Sequence, residues 1–214
     1  MHAMPRDQSA LAMAPADHRG LSAPMAAGPP CSPDQIAALR AATERARTIR
    51  NAARLATFNA WTIGIFAAPA LLIGLFSPPS LVIGAGLAVV TYNEYRGAQR
   101  LRRFDRHAPR MLGWNQVGLA AGLVFYGAVG LHQALAGPGH YAEQIAQMPA
   151  LAPTLEPLGE LYRLIAVLTY SCVIGGSLIF QGLNAWYYFT RESRLRDYLI
   201  QTPPWVVEMQ RAAA

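Results

Sequence analysis

From Leu55 to Asn93 the chain runs 39 positions without a charged residue. Two further runs behave alike. From Met111 to Leu135 the only ionisable groups are Tyr126 and His132, and from Leu164 to Thr190 there is no formal charge. A helix needs about 20 apolar residues to cross about 30 Å of hydrocarbon. Soluble domains are about 25% charged; this 214-residue chain is 14% charged, with its apolar residues gathered in long blocks. The chain therefore reads as an all-α integral membrane protein.

The first run is too long for one crossing and divides at "SPPS", residues 77–80. Span one is 55–76, with Pro69 a candidate kink site. Span two is 79–95. Its uncharged part, Ser80 to Asn93, covers only about 21 Å of helix, so a re-entrant helix competes with a full crossing. The full crossing is preferred because the next segment is arginine-rich like the one before span one, and Arg96 and Arg100 can snorkel to headgroups. Span three is 111–135 and contains "GLAAG", a GxxxG spacing that admits a close helix neighbour. Span four is 164–189. Gly137, Pro138, Gly139, Pro149, Pro153 and Pro157 break up the intervening 136–163, which reads as loop with at most short helices.

The ends differ in kind. Residues 1–31 are rich in Ala, Pro, Met and Gly without periodicity and read as a disordered tail. "SPDQ", 32–35, is a helix start: Ser32 caps, Pro33 takes the first helical position, Asp34 suits the dipole and Gln35 closes a capping box. The segment to Arg54 places Ile36, Leu39, Ala42, Ala46, Ile49 and Ala53 on one face, interrupted by Thr43 and Arg50. It reads as a basic amphipathic helix, 32–54, suited to lie on or rise from an anionic membrane surface. Residues 191–214 read as a tail, with Thr202 a possible cap and Trp205, Val206 and Val207 an interfacial anchor.

All 18 basic residues are arginine, and the net charge is +6. Five arginines fall in 40–54, six in 96–110 and three in 191–196, against none in 77–80 and one in 136–163. By the positive-inside rule these counts place both termini and the 93–116 stretch in the cytoplasm. Trp61, Trp114, Trp186 and Tyr187 fall near the same boundary, as an aromatic belt does. The arginines sit beside apolar runs, which favours lipid over nucleic acid as their partner. Arg50, Arg54, Arg96, Arg100, Arg102 and Arg103 are the candidates for contact with lipid phosphate or a protein partner.

One constellation stands out by depth. Counted from the arginine-rich edge, each span carries polar residues within its first turns: Asn59; Tyr92, Asn93 and Glu94; Asn115 and Gln116; Gln181 and Asn184. In a four-helix bundle Asn59, Glu94, Asn115, Gln116, Gln181 and Asn184 form one polar layer, with Arg54 placed to pair with Glu94. Its two readings are a binding or pathway site and hydrogen bonding that fixes helix register, the latter worth about 0.6 kcal/mol per pair. The register reading is preferred because the layer lies near the interface.

Other candidates are weaker. His132, His140 and Glu143 are loosely spaced metal ligands, and no second intramembrane histidine accompanies His132 for haem. Tyr170, Ser171 and Cys172 lack a histidine at their depth to activate a nucleophile. "RLRRFDRHAPR", 100–110, lacks a glycine-rich cradle and an acidic pair for Mg²⁺; Asp105 is placed to pair with a nearby arginine. Cys31 and Cys172 do not form a disulfide framework. No secretory signal is expected, and no cofactor or metal.

The stretch "YNEYRGAQRLRRFDRHAPRMLGWNQVGLAAGLVFYGAVG", 92–130, resembles a pattern in uncharacterised bacterial multi-pass membrane proteins. The shared features are E-x-R-G after a span, an L-x-x-x-D-x-x-A loop and N-Q at the next span. The resemblance covers under a third of the chain and implies a fold type without an activity; the expected location is a bacterial inner membrane. The expectation for function is a non-enzymatic accessory or scaffold subunit, with membrane lipids and either a protein partner or further copies of itself as partners. The alternative is a small transporter or channel acting as an oligomer. A lipid-modifying enzyme comes third, for want of a nucleophile or metal site.

Overall fold

The computed structural model describes residues 32–213, and these are all-helical, with no strand among the described residues. The elements are α1 (Pro33–Gly74), α2 (Pro78–Arg102), α3 (Ala108–Ala136), α4 (Ala142–Gln147), a single 3-10 turn at Pro149–Leu151, α5 (Ala152–Gln201) and α6 (Pro204–Ala212). Three helical segments are long and apolar enough to cross a membrane: α1, α3 and the stretch containing α5. The 25-residue α2 is less apolar, because Glu94, Arg96, Arg100 and Arg102 fall in its last turns. The expected tail 1–31, with Cys31, lies outside the described residues.

The capping box at Ser32 forms as the sequence specifies. The Gln35 backbone N–H donates to Ser32 Oγ at 3.2 Å, and Ser32 N–H donates to Gln35 Oε1 at 2.9 Å. From there α1 continues for 42 residues, through Pro69. At 1.5 Å per residue it is about 63 Å long, so the basic segment and the first span are one rod. The apolar stripe is covered by protein: Ala42, Ala46, Ile49 and Ala53 are buried, together with Ala52 and Ala56. The stripe therefore packs against the rest of the protein and is not a free apolar face.

Two antiparallel pairs organise the molecule, α1 against α2 and α3 against α5, and they join at the arginine-rich end. Different forces hold the two ends. Ile49, Leu101, Phe104, Leu112, Tyr188, Leu195, Tyr198 and Val206 form one buried core at the arginine-rich end. In water each such side chain contributes about 1.5–3 kcal/mol on burial. Toward the hairpin end the outward faces are apolar and exposed, including Ile65, Phe66, Leu72, Phe125, Ile179 and Phe180. Lipid gives no hydrophobic drive between helices, so close packing must hold each pair there. Gly84 of α2 supplies it: a Cβ built on it meets Leu71 N at 2.7 Å and Ala70 C at 2.9 Å on α1. On α3, Gly127 and Gly130 instead make room for the Ile174 and Tyr170 side chains of α5. Gly118 and Gly122, the expected GxxxG pair, face open space.

The arginine-rich stretch is more helical than a loop. The α2 helix continues to Arg102, and the chain reverses in Arg103–His107. The reversal is a Schellman motif: Phe104 N–H donates to Leu101 O at 3.0 Å and Asp105 N–H to Arg100 O at 3.0 Å. Phe104 takes the left-handed conformation, φ 55°, that glycine usually fills. A left-handed residue costs about 1–2 kcal/mol. Burial of the Phe104 ring, stacked on Tyr198 at 4.7 Å, offsets it. Asp105 Oδ1 then accepts the His107 N–H at 3.0 Å, and its carboxylate lies 3.8 Å from Arg100.

Two expectations need correction. Residues 136–163 are not mainly loop, because α5 already begins at Ala152. Pro153 sits in the first turn, where no N–H is needed, and Pro157 removes a single helical bond. The 191–214 stretch is not a loose tail. The α5 helix runs to Gln201, and α6 folds back on the core with Val206 and Val207 buried. Those valines are core residues and not a lipid anchor, and Thr202 does not cap α6. Three bonds fasten the return: Arg45 Nη1 to Gln201 O at 3.0 Å, Arg211 Nε to Arg103 O at 3.0 Å, and Tyr198 hydroxyl to Gln210 Oε1 at 3.0 Å. Burial raises the pKa of the Tyr198 hydroxyl, keeping this donor protonated.

Because the two nearest atoms facing Gly84 are backbone, with the Leu71 side chain just behind them, the pair cannot absorb a methyl group there. Gly84→Ala is expected to lower stability by about 1–3 kcal/mol. Gly86→Ala, which meets nothing within 4 Å inside α2, is expected to leave it unchanged or raise it by up to about 1 kcal/mol, since alanine is the better helix former. Thermal unfolding of the detergent-solubilised protein distinguishes the two.

Candidate functional site

Glu94 is fully buried where the four long helices meet. Its position follows from α2: Glu94 lies one turn before Ala98 and two before Leu101, on the face that enters the core. Asn115 and Gln116 come from the second and third turns of α3, Asn59 from α1 and Tyr188 from α5.

The bonds form a closed set. Glu94 Oε1 accepts from Asn115 Nδ2 at 2.8 Å and from Gln116 Nε2 at 2.9 Å. Glu94 Oε2 accepts from the Tyr188 hydroxyl at 3.3 Å, which itself accepts from Asn59 Nδ2 at 3.2 Å. Asn115 Nδ2 also donates to the Val90 carbonyl at 3.1 Å, and Asn93 Nδ2 donates to Asn115 Oδ1 at 3.3 Å. Each bond to Glu94 uses the carboxyl oxygen as acceptor, so neutral donors satisfy it. Gln116 Oε1 is buried without a hydrogen-bond partner.

Four of the six expected layer residues, Asn59, Glu94, Asn115 and Gln116, come together. Asn184 and Gln181, one and two turns from Tyr188 on α5, are half-buried and make no hydrogen bond to the cluster. Arg54 does not pair with Glu94; Arg54 is exposed, and the one ion pair among the described residues is Arg100–Asp105. Tyr188 is the member that sequence reasoning missed. Its signal was its place in "WYYF", where an aromatic belt also accounts for tyrosine.

The six expected phosphate-contact arginines scatter over the arginine-rich end. Arg50, Arg54 and Arg96 are exposed. Arg100 reaches Asp105 and Met111, and Arg103 offers its carbonyl to Arg211. Arg102 Nη2 crosses to α1 and donates to Thr57 Oγ1 at 3.1 Å.

The hairpin end holds the other candidates. A cavity of about 480 Å³ between α3, α4 and α5 is lined by His140, Tyr141, Glu156, Glu160 and Arg163. The His140 ring stacks on Tyr162 at 4.0 Å, and Arg163 Nη2 donates to Leu135 O at 3.0 Å. His132, His140 and Glu143 do not converge; no group of three His, Cys, Asp or Glu among the described residues is placed to hold a metal. Tyr170 packs edge-on to Tyr126 at 5.9 Å, and Cys172 is exposed.

Comparison with protein-family models, with curated proteins and with solved structures returns no match. The site is therefore read from its chemistry alone.

Removing the Glu94 carboxyl strands the Asn115, Gln116 and Tyr188 donors. Glu94→Ala is expected to cost about 1–3 kcal/mol. In a double-mutant cycle with Asn115→Ala, the coupling is expected to reach at least about 0.5 kcal/mol. Additive losses, measured by thermal unfolding in detergent, would show that the two side chains act separately.

Proposed function

We propose that the chain is a multi-pass protein of a bacterial inner membrane, with four crossings, both termini cytoplasmic, and a non-enzymatic role as an accessory or scaffold subunit. The positive-inside bias supports the orientation, since every arginine-dense segment lies at the end where the core forms. In this reading α2 crosses fully. Its apolar part starts at Pro78, and its charged residues lie at the same end as those of α1 and α5. The resemblance of 92–130 to multi-pass membrane proteins accords with this and adds no activity.

One observation carries the scaffold role. The place where the four helices converge is packed shut: Glu94 is 0% and Gln116 1% exposed. A single copy has no open path there, and the side-chain donors of Asn59, Asn115, Gln116 and Tyr188 are taken up within the cluster. What the molecule offers outward is apolar helix face within the membrane and arginine-rich surface beside it.

The second reading, an oligomeric transporter or channel, rests on Glu94 itself. A buried membrane carboxyl balanced by neutral groups is costly to keep, and such groups commonly mark ion or proton pathways.

Native-size analysis of the tagged protein, extracted from its own membrane in mild detergent, separates the readings. A scaffold is expected to carry a foreign protein in fixed stoichiometry. A pure homo-oligomer whose ion or solute flux is lost in Glu94→Gln would replace the scaffold reading with the second.

A further inference from the structure

The pair α1–α2 carries a groove on its outer surface. Its volume is about 690 Å³, and it is walled by Trp61, Gly64, Ala68 and Leu71 of α1 and by Ala88 and Tyr95 of α2. The wall offers almost nothing polar. Of the hydroxyls along it, Thr91 Oγ1 is spent on the Leu87 carbonyl at 2.8 Å, and the other two belong to Tyr92 and Tyr95 at the arginine-rich end.

Length and polarity distinguish what fits. From Ala60 to Leu71 the groove follows about 16 Å of helix. That is about half of the roughly 30 Å hydrocarbon thickness, or one leaflet. A partner helix would need a seam along the whole span. One end of the groove also differs from the other. Trp61, Tyr92 and Tyr95 stand at the arginine-rich end and are exposed, as interfacial aromatics are. One helical turn beyond Trp61, on the same face, is Thr57, and the Arg102 guanidinium is held against its hydroxyl at 3.1 Å. Arg96, one turn beyond Tyr92, is exposed beside it. An apolar slot one leaflet long that ends in fixed guanidinium matches an amphiphile with one apolar chain and an anionic head.

We propose that this groove is a binding site for an anionic phospholipid of the cytoplasmic leaflet, with an acyl chain along Gly64 and Ala68 and the phosphate on Arg102. The proposal rests on the membrane reading and is independent of the scaffold role. It also gives the Arg102–Thr57 bond a purpose: a guanidinium fixed in place loses less freedom on meeting phosphate than a mobile one.

The test uses the full chain with Trp61 as the sole tryptophan (Trp114→Phe, Trp186→Phe, Trp205→Phe), reconstituted with lipids brominated on the acyl chain. Quenching of Trp61 by brominated phosphatidylglycerol is expected at about fivefold lower mole fraction than by brominated phosphatidylcholine, the preference one surface arginine confers. Arg102→Gln is expected to remove that preference. Ala68→Phe, at an exposed position that fills the slot, is expected to weaken quenching by both lipids. Arg194→Gln, on the other helix pair, is expected to leave the preference intact. Equal quenching by the two lipids would leave the membrane reading standing and overturn the site, since only unselective boundary lipid would be present. A loss of preference in Arg194→Gln equal to that in Arg102→Gln would overturn it as well, by assigning the preference to general surface charge. Trp61 quenched by neither lipid would show the groove covered by protein or outside the membrane, and would also overturn it.

Discussion

A carboxyl group with no cation beside it fixes how these helices meet. Glu94 must find donors, because an unsatisfied charged group in a dry interior costs several kcal/mol. It draws Asn115 and Gln116 from α3 and Tyr188 from α5, and Tyr188 in turn holds Asn59 of α1. A slip of any helix by one residue turns its donor away. The cluster therefore acts as a register pin where the two helix pairs meet, at the edge of the core they share. Around it the buried core of Ile49, Leu101, Phe104, Leu112 and Tyr198 supplies cohesion, which the few hydrogen bonds of the cluster alone do not. Beyond it, toward the hairpin end, glycines take over: Gly84 admits the α1 backbone, and Gly127 and Gly130 admit α5 side chains.

Much of this was legible in the chain. The uncharged runs mark the apolar helices, since hydrocarbon admits little else over that length. The Ser32–Gln35 box marks where α1 starts because both partners are local. The shared depth of Asn59, Glu94, Asn115 and Gln116 shows because polar groups in apolar runs are few. What escaped was non-local. Tyr188 looks like a belt aromatic until its hydroxyl is seen against Glu94. Gln181 and Asn184 match the layer in composition, but without a donor or acceptor across from them they take no part. The return of α6 depends on Phe104 and Tyr198 making a surface for Val206 and Val207, and no residue in 202–211 announces it. The early start of α5 was hidden by prolines whose cost depends on their position in the turn. Arg54 was paired with Glu94 on depth alone, whereas neutral donors on neighbouring helices are closer to hand and avoid burying a second charge.

The functional reading inherits this division. A closed junction and a packed arginine-rich end describe a rigid body that presents surfaces, which suits a part of something larger. The arginine-rich end that the positive-inside rule would place in the cytoplasm is also where the groove between α1 and α2 opens, with Arg102 fixed beside it.

The central claim is that two helical hairpins reach the far side of the membrane while the arginine-rich core stays inside. Labelling by a membrane-impermeant maleimide tests it directly, in a background with Cys31 and Cys172 changed to serine. With single cysteines at Ser77, Gly139 and His107, the account predicts that Ser77→Cys and Gly139→Cys label in cells whose inner membrane is intact, while His107→Cys labels only after that membrane is opened. Labelling of Gly139→Cys alone in intact cells, with Ser77→Cys reacting only alongside His107→Cys after opening, would contradict the crossing of α2 and with it the four-span account.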